Sequence, residues 1–171
     1  MGKDFTEALS KAGASVRHDM RPGDIGNIIR MHGRLYTSEH GYSLDFEGYV
    51  AKTFANYSWP LGTRERMWML EKEGVLGGCI AIVKASETEA QLRWLLLAPE
   101  LRGYGLGRCL VEEAVVFCRS SGYRAVTLWT EASLTTATRL YRQCGFTLRE
   151  QKKGMTWGAE RTEERYDLSL A

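Results

Sequence analysis

The stretch Leu95-Leu96-Leu97-Ala98-Pro99-Glu100-Leu101-Arg102-Gly103-Tyr104-Gly105-Leu106-Gly107-Arg108 carries the reading of the fold. Upstream, Gln91 to Leu97 is nearly all apolar in its second half, as expected of a strand covered on both faces. Downstream, from about Gly105 to Ser120, Leu106, Leu110, Ala114, Phe117 and Cys118 fall on one side of a helix and Arg108, Glu112 and Arg119 on the other. Three glycines at alternate positions join the two. They leave main-chain N–H groups unobstructed at a helix N-terminus, where unpaired donors and the positive end of the dipole attract phosphate. The spacing does not fit the nucleoside-triphosphate loop, because no Gly-Lys-Ser or Gly-Lys-Thr follows. Nor does it fit the dinucleotide fingerprint, which needs a third glycine where Arg108 stands. The loop is an anion cradle of another kind.

Working outward, element types alternate. After a polar leader, Val16 to Met20 reads as a short strand. Pro22-Gly23-Asp24 offers a turn with Asp24 as helix N-cap, followed by a helix from about Ile25 to Tyr36. A second helix opens near Ser43 or Asp45, with Phe46, Tyr49, Val50, Phe54 and Tyr57 on one apolar face and Pro60 closing it. Met67 to Glu71 and Val75 to Val83, joined by Lys72-Glu73-Gly74, read as a β-hairpin. Beyond the central helix, Val126 to Thr130 is a strand and Thr135 to Cys144 a short helix ended by Gly145. Phe146 to Glu150 and Arg165 to Leu170 are closing strands. The class is α/β with a mixed sheet.

The 171 residues suit one domain. The 23 basic and 21 acidic residues leave a charge of +2, which does not favour binding to nucleic acid. No apolar run approaches the roughly 18 residues of a membrane helix. Lys3, Asp4 and Glu7 precede any apolar stretch, so no secretory signal is evident and a cytoplasmic location is expected. Cys79, Cys109, Cys118 and Cys144 are widely spaced, with no histidine at zinc-ligand spacing. They read as reduced core residues, and no metal is expected.

Arg102-x-x-Gly105-x-Gly107, set between an apolar strand and an amphipathic helix, resembles the acetyl-coenzyme A (acetyl-CoA) loop of the GNAT family of N-acetyltransferases. A second block, Ala137-Thr138-Arg139-Leu140-Tyr141-Arg142-Gln143-Cys144-Gly145-Phe146, is similar to a later segment of the same family, and the order agrees. The resemblance spans residues 16 to 170 and is closest from Gln91 to Leu148. It implies a single-domain α/β fold over residues 1–171, with a mixed, mostly antiparallel central sheet flanked by helices. It departs at Leu134, where many members place an asparagine that holds the pantetheine arm. A narrower likeness, in His32-Gly33-x-Leu35-Tyr36-x-x-Glu39-x-Gly41, Phe46-Glu47 and Leu128-Trp129-Thr130, is to the acetyltransferase half of proteins fused to a MarR-type regulator.

The resemblance implies transfer of an acetyl group from acetyl-CoA to a primary amine, in a direct ternary complex. It assigns the cofactor diphosphate to the main chain of Arg102, Gly103, Tyr104, Gly105, Leu106, Gly107 and Arg108, and the pantetheine arm to the backbone of Leu96 and Leu97. Tyr141 is the candidate general acid for the departing thiolate. An alkylammonium is mostly protonated at neutral pH, so a base is needed as well; Glu39 ranks first, with His32 and Glu131 as the others. Tyr36 and Trp129, followed by Tyr42 and Trp157, are candidate walls of an amine pocket. The expected partner is a small-molecule amine, and the chain a monomer or homodimer. A protein or peptide amine, and a non-catalytic acyl-CoA sensor, are the alternatives.

Overall fold

The computed structural model describes residues 2–170 and contains one seven-stranded sheet in the order β1-β2-β3-β4-β5-β7-β6. In chain order the elements are α1 (Lys3–Ala12), β1 (Ala14–Arg17), α2 (Asp24–His40), α3 (Leu44–Ala55), β2 (Arg66–Lys72), β3 (Val75–Lys84) and β4 (Glu89–Leu97). These are followed by α4 (Leu106–Ser120), β5 (Ala125–Glu131), α5 (Thr135–Gln143), β6 (Thr147–Thr156) and β7 (Ala159–Ser169). Every strand pairing is antiparallel except β4 with β5. The mixed, mostly antiparallel sheet of the sequence reading is therefore present.

Three local expectations need correction. The polar leader is a helix: Phe5, Ala8, Leu9 and Ala12 form a narrow buried stripe at three- and four-residue spacing, which packs on α4. Asp24 is not the N-cap of α2, because Gly23 takes that place in a left-handed conformation. The Asp24 carboxylate instead accepts the Arg21 N–H at 2.6 Å and both guanidinium nitrogens of Arg17 at 2.7 and 2.9 Å. Helix α3 ends at Ala55, short of Tyr57 and Pro60.

The closing strands are only the base of a long hairpin, β6–β7, turned at Trp157 and Gly158 with φ of 51° and 87°. Two successive positive φ values are those of the tight turn that matches strand twist. Strand β6 is almost wholly exposed and carries Arg149, Glu150, Lys152 and Lys153, so it shows no apolar alternation to read.

Two apolar clusters cover the two faces of the sheet, one under α1 and α4, the other under α2 and α3. Strand β4 contributes to both in an unusual way. Ala90 and Leu92 belong to the α4 side, whereas Trp94 and Leu96 belong to the α2–α3 side. Alternation along a strand cannot do this unless a residue is inserted, and one is: Arg93 pairs Ala81 and Leu96 pairs Cys79, so Trp94 and Leu95 together oppose Ile80. Just before this bulge the parallel pairing with β5 stops, after Gln91 and Thr127. From there the two strands part, and the functional cleft lies between them.

Strand β3 lies tight against this part of β4 because Gly77 and Gly78 lack side chains. A β-carbon on Gly78 would fall 2.6 Å from the Leu97 Cδ2 and 3.1 Å from the Leu96 carbonyl oxygen. Gly78→Ala should therefore cost about 1–3 kcal/mol through overpacking, which thermal unfolding would read as a fall of roughly 2–4 °C per kcal/mol. An unchanged melting temperature would show that β4 can shift freely.

Candidate functional site

A cleft of about 590 Å³ runs from the glycine loop, through the gap between β4 and β5, to the corner between α2 and α3. At its loop end, a short 3-10 turn at Pro99–Leu101 buries Leu101 and leads into Arg102. Gly103 and Gly105 have φ of 84° and 80°, and a β-carbon on either would meet nothing within 4 Å. These glycines are needed for backbone conformation rather than for room. The N–H groups of Gly103, Tyr104 and Gly105 have no hydrogen-bond partner among the described residues, and the first turn of α4 adds further unpaired donors. Leu106, 1% exposed, anchors that turn in the core, whereas Tyr104 is exposed. Arg108 lies outside on Glu112 at 2.7 Å. An array of free N–H groups at a helix N-terminus fits a diphosphate.

Arg102 ties this loop to its surroundings. Its Nε donates to the Leu97 carbonyl at 2.9 Å, and its two Nη atoms grip the Glu39 carboxylate at 2.9 and 3.0 Å. This bidentate pair joins the end of α2 to the loop. It also engages both oxygens of the carboxylate that ranked first as general base.

On β4, Trp94 adopts φ 52°, a left-handed conformation that costs a bulky residue about 1–2 kcal/mol. Its ring stacks on Phe54 with centroids 3.9 Å apart, and its indole N–H donates to the Thr53 hydroxyl at 3.0 Å. The Cys79 thiol donates to the Trp94 carbonyl at 3.0 Å. Burial pushes that thiol up to about 12, so Cys79 is a donor and not a nucleophile.

Two phenols reach the middle of the cleft from opposite sides, Tyr141 on α5 and Tyr36 on α2. Neither hydroxyl has a hydrogen-bond partner among the described residues. Burial pushes Tyr141 well above the ordinary phenol range, with smaller contributions from Tyr36 and Cys144. Burial likewise pushes Tyr36 up to about 12, helped by Cys79 and Glu39. Both phenols therefore keep their protons at neutral pH and are available as donors. His32 is buried on α2 beside Tyr36, and its Nδ1 donates to the Ile28 carbonyl at 2.9 Å. Burial lowers its pKa to about 4 despite that bond, so the ring is neutral near pH 7.

The far end is formed by β5, the β6–β7 hairpin and the α2–α3 corner. Glu131 and Glu163 are cross-strand partners, so both lie on the face toward α2 and α3, and both line the cleft. Glu131 is buried and accepts from the Ser133 N–H at 3.1 Å, from the Ser133 hydroxyl and, more distantly, from the Tyr42 hydroxyl at 3.4 Å. The Arg161 guanidinium lies 3.8 Å from the Tyr42 ring centre and 3.9 Å from Glu131. The carboxylate of Glu163 has no partner among the described residues. Trp157, at the hairpin tip, stacks on Tyr42 with centroids 5.1 Å apart and packs on Phe46, and its carbonyl accepts the Ser43 N–H at 3.0 Å. The hairpin thus roofs this end of the cleft.

Every site residue named from the sequence lines the cleft or lies on the loop at its mouth: Tyr141, Glu39, Leu96, Leu97, the loop 102–108, His32, Tyr36, Trp129 and Glu131. Glu163, Thr53 and Trp94 also line it, and sequence reasoning missed them. The Trp157-Gly158 pair, between two polar stretches, was the one turn signal for the hairpin and so for Glu163. A left-handed tryptophan leaves no signal.

A phosphate-cradling loop at a helix N-terminus, beside a parted parallel strand pair and a buried tyrosine, defines a CoA-dependent acyltransferase. The chain belongs to the acetyltransferase (GNAT) family, whose profile matches residues 32–146. It is an N-acetyltransferase with acetyl-CoA as acyl donor. An uncharacterised N-acetyltransferase of Escherichia coli K12, YjgM, is 32% identical over 127 residues, covering 71% of this chain and 74% of its own length. The ribosomal-protein-S18-alanine N-acetyltransferase of Escherichia coli superimposes with a TM-score of 0.70 at 20% identity, over 92% of this chain and 94% of that one. Spermidine N-acetyltransferase of Vibrio cholerae, solved with CoA and spermine, does so with a TM-score of 0.64 at 19% identity, over 92% and 96%. At these identities the two structures establish the fold alone. Among the described residues no helix is long and apolar enough to cross a membrane.

The low pKa of His32 makes stability depend on pH. Between pH 6.5 and 4 the unfolded chain takes up a proton that the folded ring refuses, so this contribution is complete above pH 6.5 and is lost as pH falls toward 4. Urea unfolding at pH 7.5 and pH 5 should show a smaller loss on acidification for His32→Asn than for the wild type. Equal losses would refute the buried neutral imidazole.

Proposed function

We propose that the protein acetylates a small-molecule primary amine by direct transfer from acetyl-CoA. The observation that carries this reading is the make-up of the acceptor end of the cleft. The tip of the β6–β7 hairpin sits on Tyr42, Ser43 and Phe46 and bounds that end. The walls there combine aromatic rings, Tyr36, Tyr42, Trp129 and Trp157, with the carboxylates Glu131 and Glu163. Carboxylates with π faces suit an alkylammonium on arrival.

In this reading the diphosphate rests on the main chain of Arg102 to Arg108, and the edge of β4 at Leu96 and Leu97, which no longer pairs with β5, receives the pantetheine amides. The acceptor ammonium must lose a proton before it can attack. Glu163 is favoured as its recipient, directly or through water, because it lines the acceptor end and its carboxylate has no partner among the described residues, whereas both oxygens of Glu131 already accept from Ser133 or Tyr42. Both oxygens of Glu39 are engaged by Arg102, so Glu39 serves better to hold the loop, and burial, which lowers the His32 pKa to about 4, makes that ring a poor proton acceptor. The neutral amine nitrogen then bonds to the acetyl carbonyl carbon, the carbon–sulfur bond breaks, the sulfur takes the Tyr141 proton, and the surplus proton on the new amide nitrogen leaves through water and restores the Tyr141 phenol. A phenol that stays protonated and has no protein partner suits the donation to sulfur.

Thiol release from acetyl-CoA should be measured against a panel of alkylamines, arylalkylamines, amino acids and N-terminal peptides. Turnover confined to small amines is expected; turnover confined to peptides would overturn the small-molecule reading. Tyr141→Phe should lower kcat by roughly 10²-fold or more while leaving acetyl-CoA affinity nearly unchanged. Gly105→Asp should abolish cofactor binding, because it sets a carboxylate where the diphosphate would rest. Equal loss of cofactor binding in both variants would remove Tyr141 from the chemistry.

A further inference from the structure

We propose that Thr53 is a positioning residue for acyl transfer: by holding the Trp94 indole it fixes the bulge in β4, and with it the direction in which the main chain of Leu95 to Leu97 meets the acyl donor. The inference rests on the reading that this edge of β4 receives the thioester arm.

The Thr53 hydroxyl has a defined orientation. Its proton goes to the Val50 carbonyl at 2.7 Å, which leaves the oxygen lone pairs for the Trp94 indole N–H at 3.0 Å. One hydroxyl thus couples the backbone of α3 to a side chain of β4. Trp94 lies at the inserted position, in a left-handed conformation that a tryptophan adopts only when its surroundings hold it there. What holds it is specific. The Phe54 ring is stacked at 3.9 Å, Tyr57 lies edge-on at 5.5 Å, and the Cys79 thiol is bonded to the Trp94 carbonyl. Trp59 and Arg93 also flank the ring, with centroid distances of 6.4 and 5.4 Å, and the bond to Thr53 is the one hydrogen bond that the indole N–H makes among the described residues.

The consequence reaches the cleft because the bulge changes the phase of the strand. Ala90 and Leu92 point toward α4, but Leu96 points toward α2 and α3, and the backbone edge turns with the side chains. Beyond Gln91 that edge no longer pairs with β5. A strand slipped back into regular alternation would present different N–H and C=O groups to whatever lies along it. Such a change misplaces the reacting carbonyl without touching the diphosphate loop some residues away.

The test compares Thr53→Val, which keeps the shape and removes the hydroxyl, with Thr53→Ser, which keeps the hydroxyl. Trp94→Phe removes the same bond from the other side and stands in if Thr53→Val does not fold. Thr53→Val and Trp94→Phe should lower kcat about 10- to 100-fold, as expected for a small misplacement of reacting groups, with little change in acetyl-CoA affinity by calorimetry. Thr53→Ser should restore most of the rate. The infrared carbonyl band of bound carbon-13-labelled acetyl-CoA should move back toward its free-solution frequency in Thr53→Val, an effect that general destabilisation would not produce. A rate that Thr53→Ser does not restore, or an unchanged carbonyl band in Thr53→Val, would overturn the proposal. If the wild type binds acetyl-CoA and shifts its carbonyl band but acetylates no amine, the proposed reaction fails while this inference stands. If amines are acetylated and the band is the same in wild type and Thr53→Val, the reverse holds.

Discussion

The parting of β4 from β5 is the constraint from which the site follows. Two parallel strands that pair for only three residues and then diverge leave main-chain groups on their facing edges without partners from the opposite strand. In most sheets such groups would be a liability, because buried backbone groups must be paired. Here they open onto a cleft bounded by the glycine loop at one end and the hairpin tip at the other. The bulge at Trp94 and Leu95 sits where the divergence begins, and its geometry depends on packing from α3. Helix α3 is therefore part of the acyl-transfer apparatus even though it carries no charged group in the cleft.

Charge in the cleft is arranged by position. The loop end offers free N–H groups and the fixed cation Arg102, suited to an anionic donor. The far end offers Glu131 and Glu163, suited to a cationic acceptor. Arg161 lies behind Glu131 and offsets part of that acidity, with its Nε buried and without a hydrogen-bond partner. Between the two ends the groups are neutral: Tyr36, Tyr141, His32 and Cys79, each with a pKa shifted by burial toward its uncharged form. Reacting groups in such a middle region meet donors and acceptors without competing charge. The Glu39–Arg102 pair ties the loop end to α2.

The loop Arg102 to Arg108 was legible because its requirements are local. Glycines at φ of 84° and 80° and a helix N-terminus act through covalent geometry and the first turn's free N–H groups, and they appear as a spacing. Tyr141 was legible through the resemblance of Ala137 to Phe146 to the later family segment, in which the tyrosine stands four residues before Gly145. Helix α1 was missed because its stripe has only four apolar residues in a polar segment. The upper half of the β6–β7 hairpin was missed because an exposed charged edge strand has no hydrophobic period. Asp24 was misassigned because a carboxylate near a helix start can cap the helix or pair with a distant arginine, and the sequence does not show Arg17 beside it.

The sequence by itself determined the order of elements from β1 onward and the anion cradle, which are consequences of short-range periodicity and turn chemistry, while the resemblance of its two motif blocks to the GNAT family pointed to acetyl-CoA and to Tyr141. Tertiary structure decided that Glu39 is held by Arg102, that Glu163 stands beside Glu131, and that a left-handed Trp94 is bonded to Thr53. These relations join Glu39 to Arg102, Thr53 to Trp94 and Glu131 to Glu163, pairs 63, 41 and 32 positions apart in the chain, and the Trp94 backbone needs surrounding packing to hold it. Contacts of that kind are set by how helices and strands pack, and no local pattern records them.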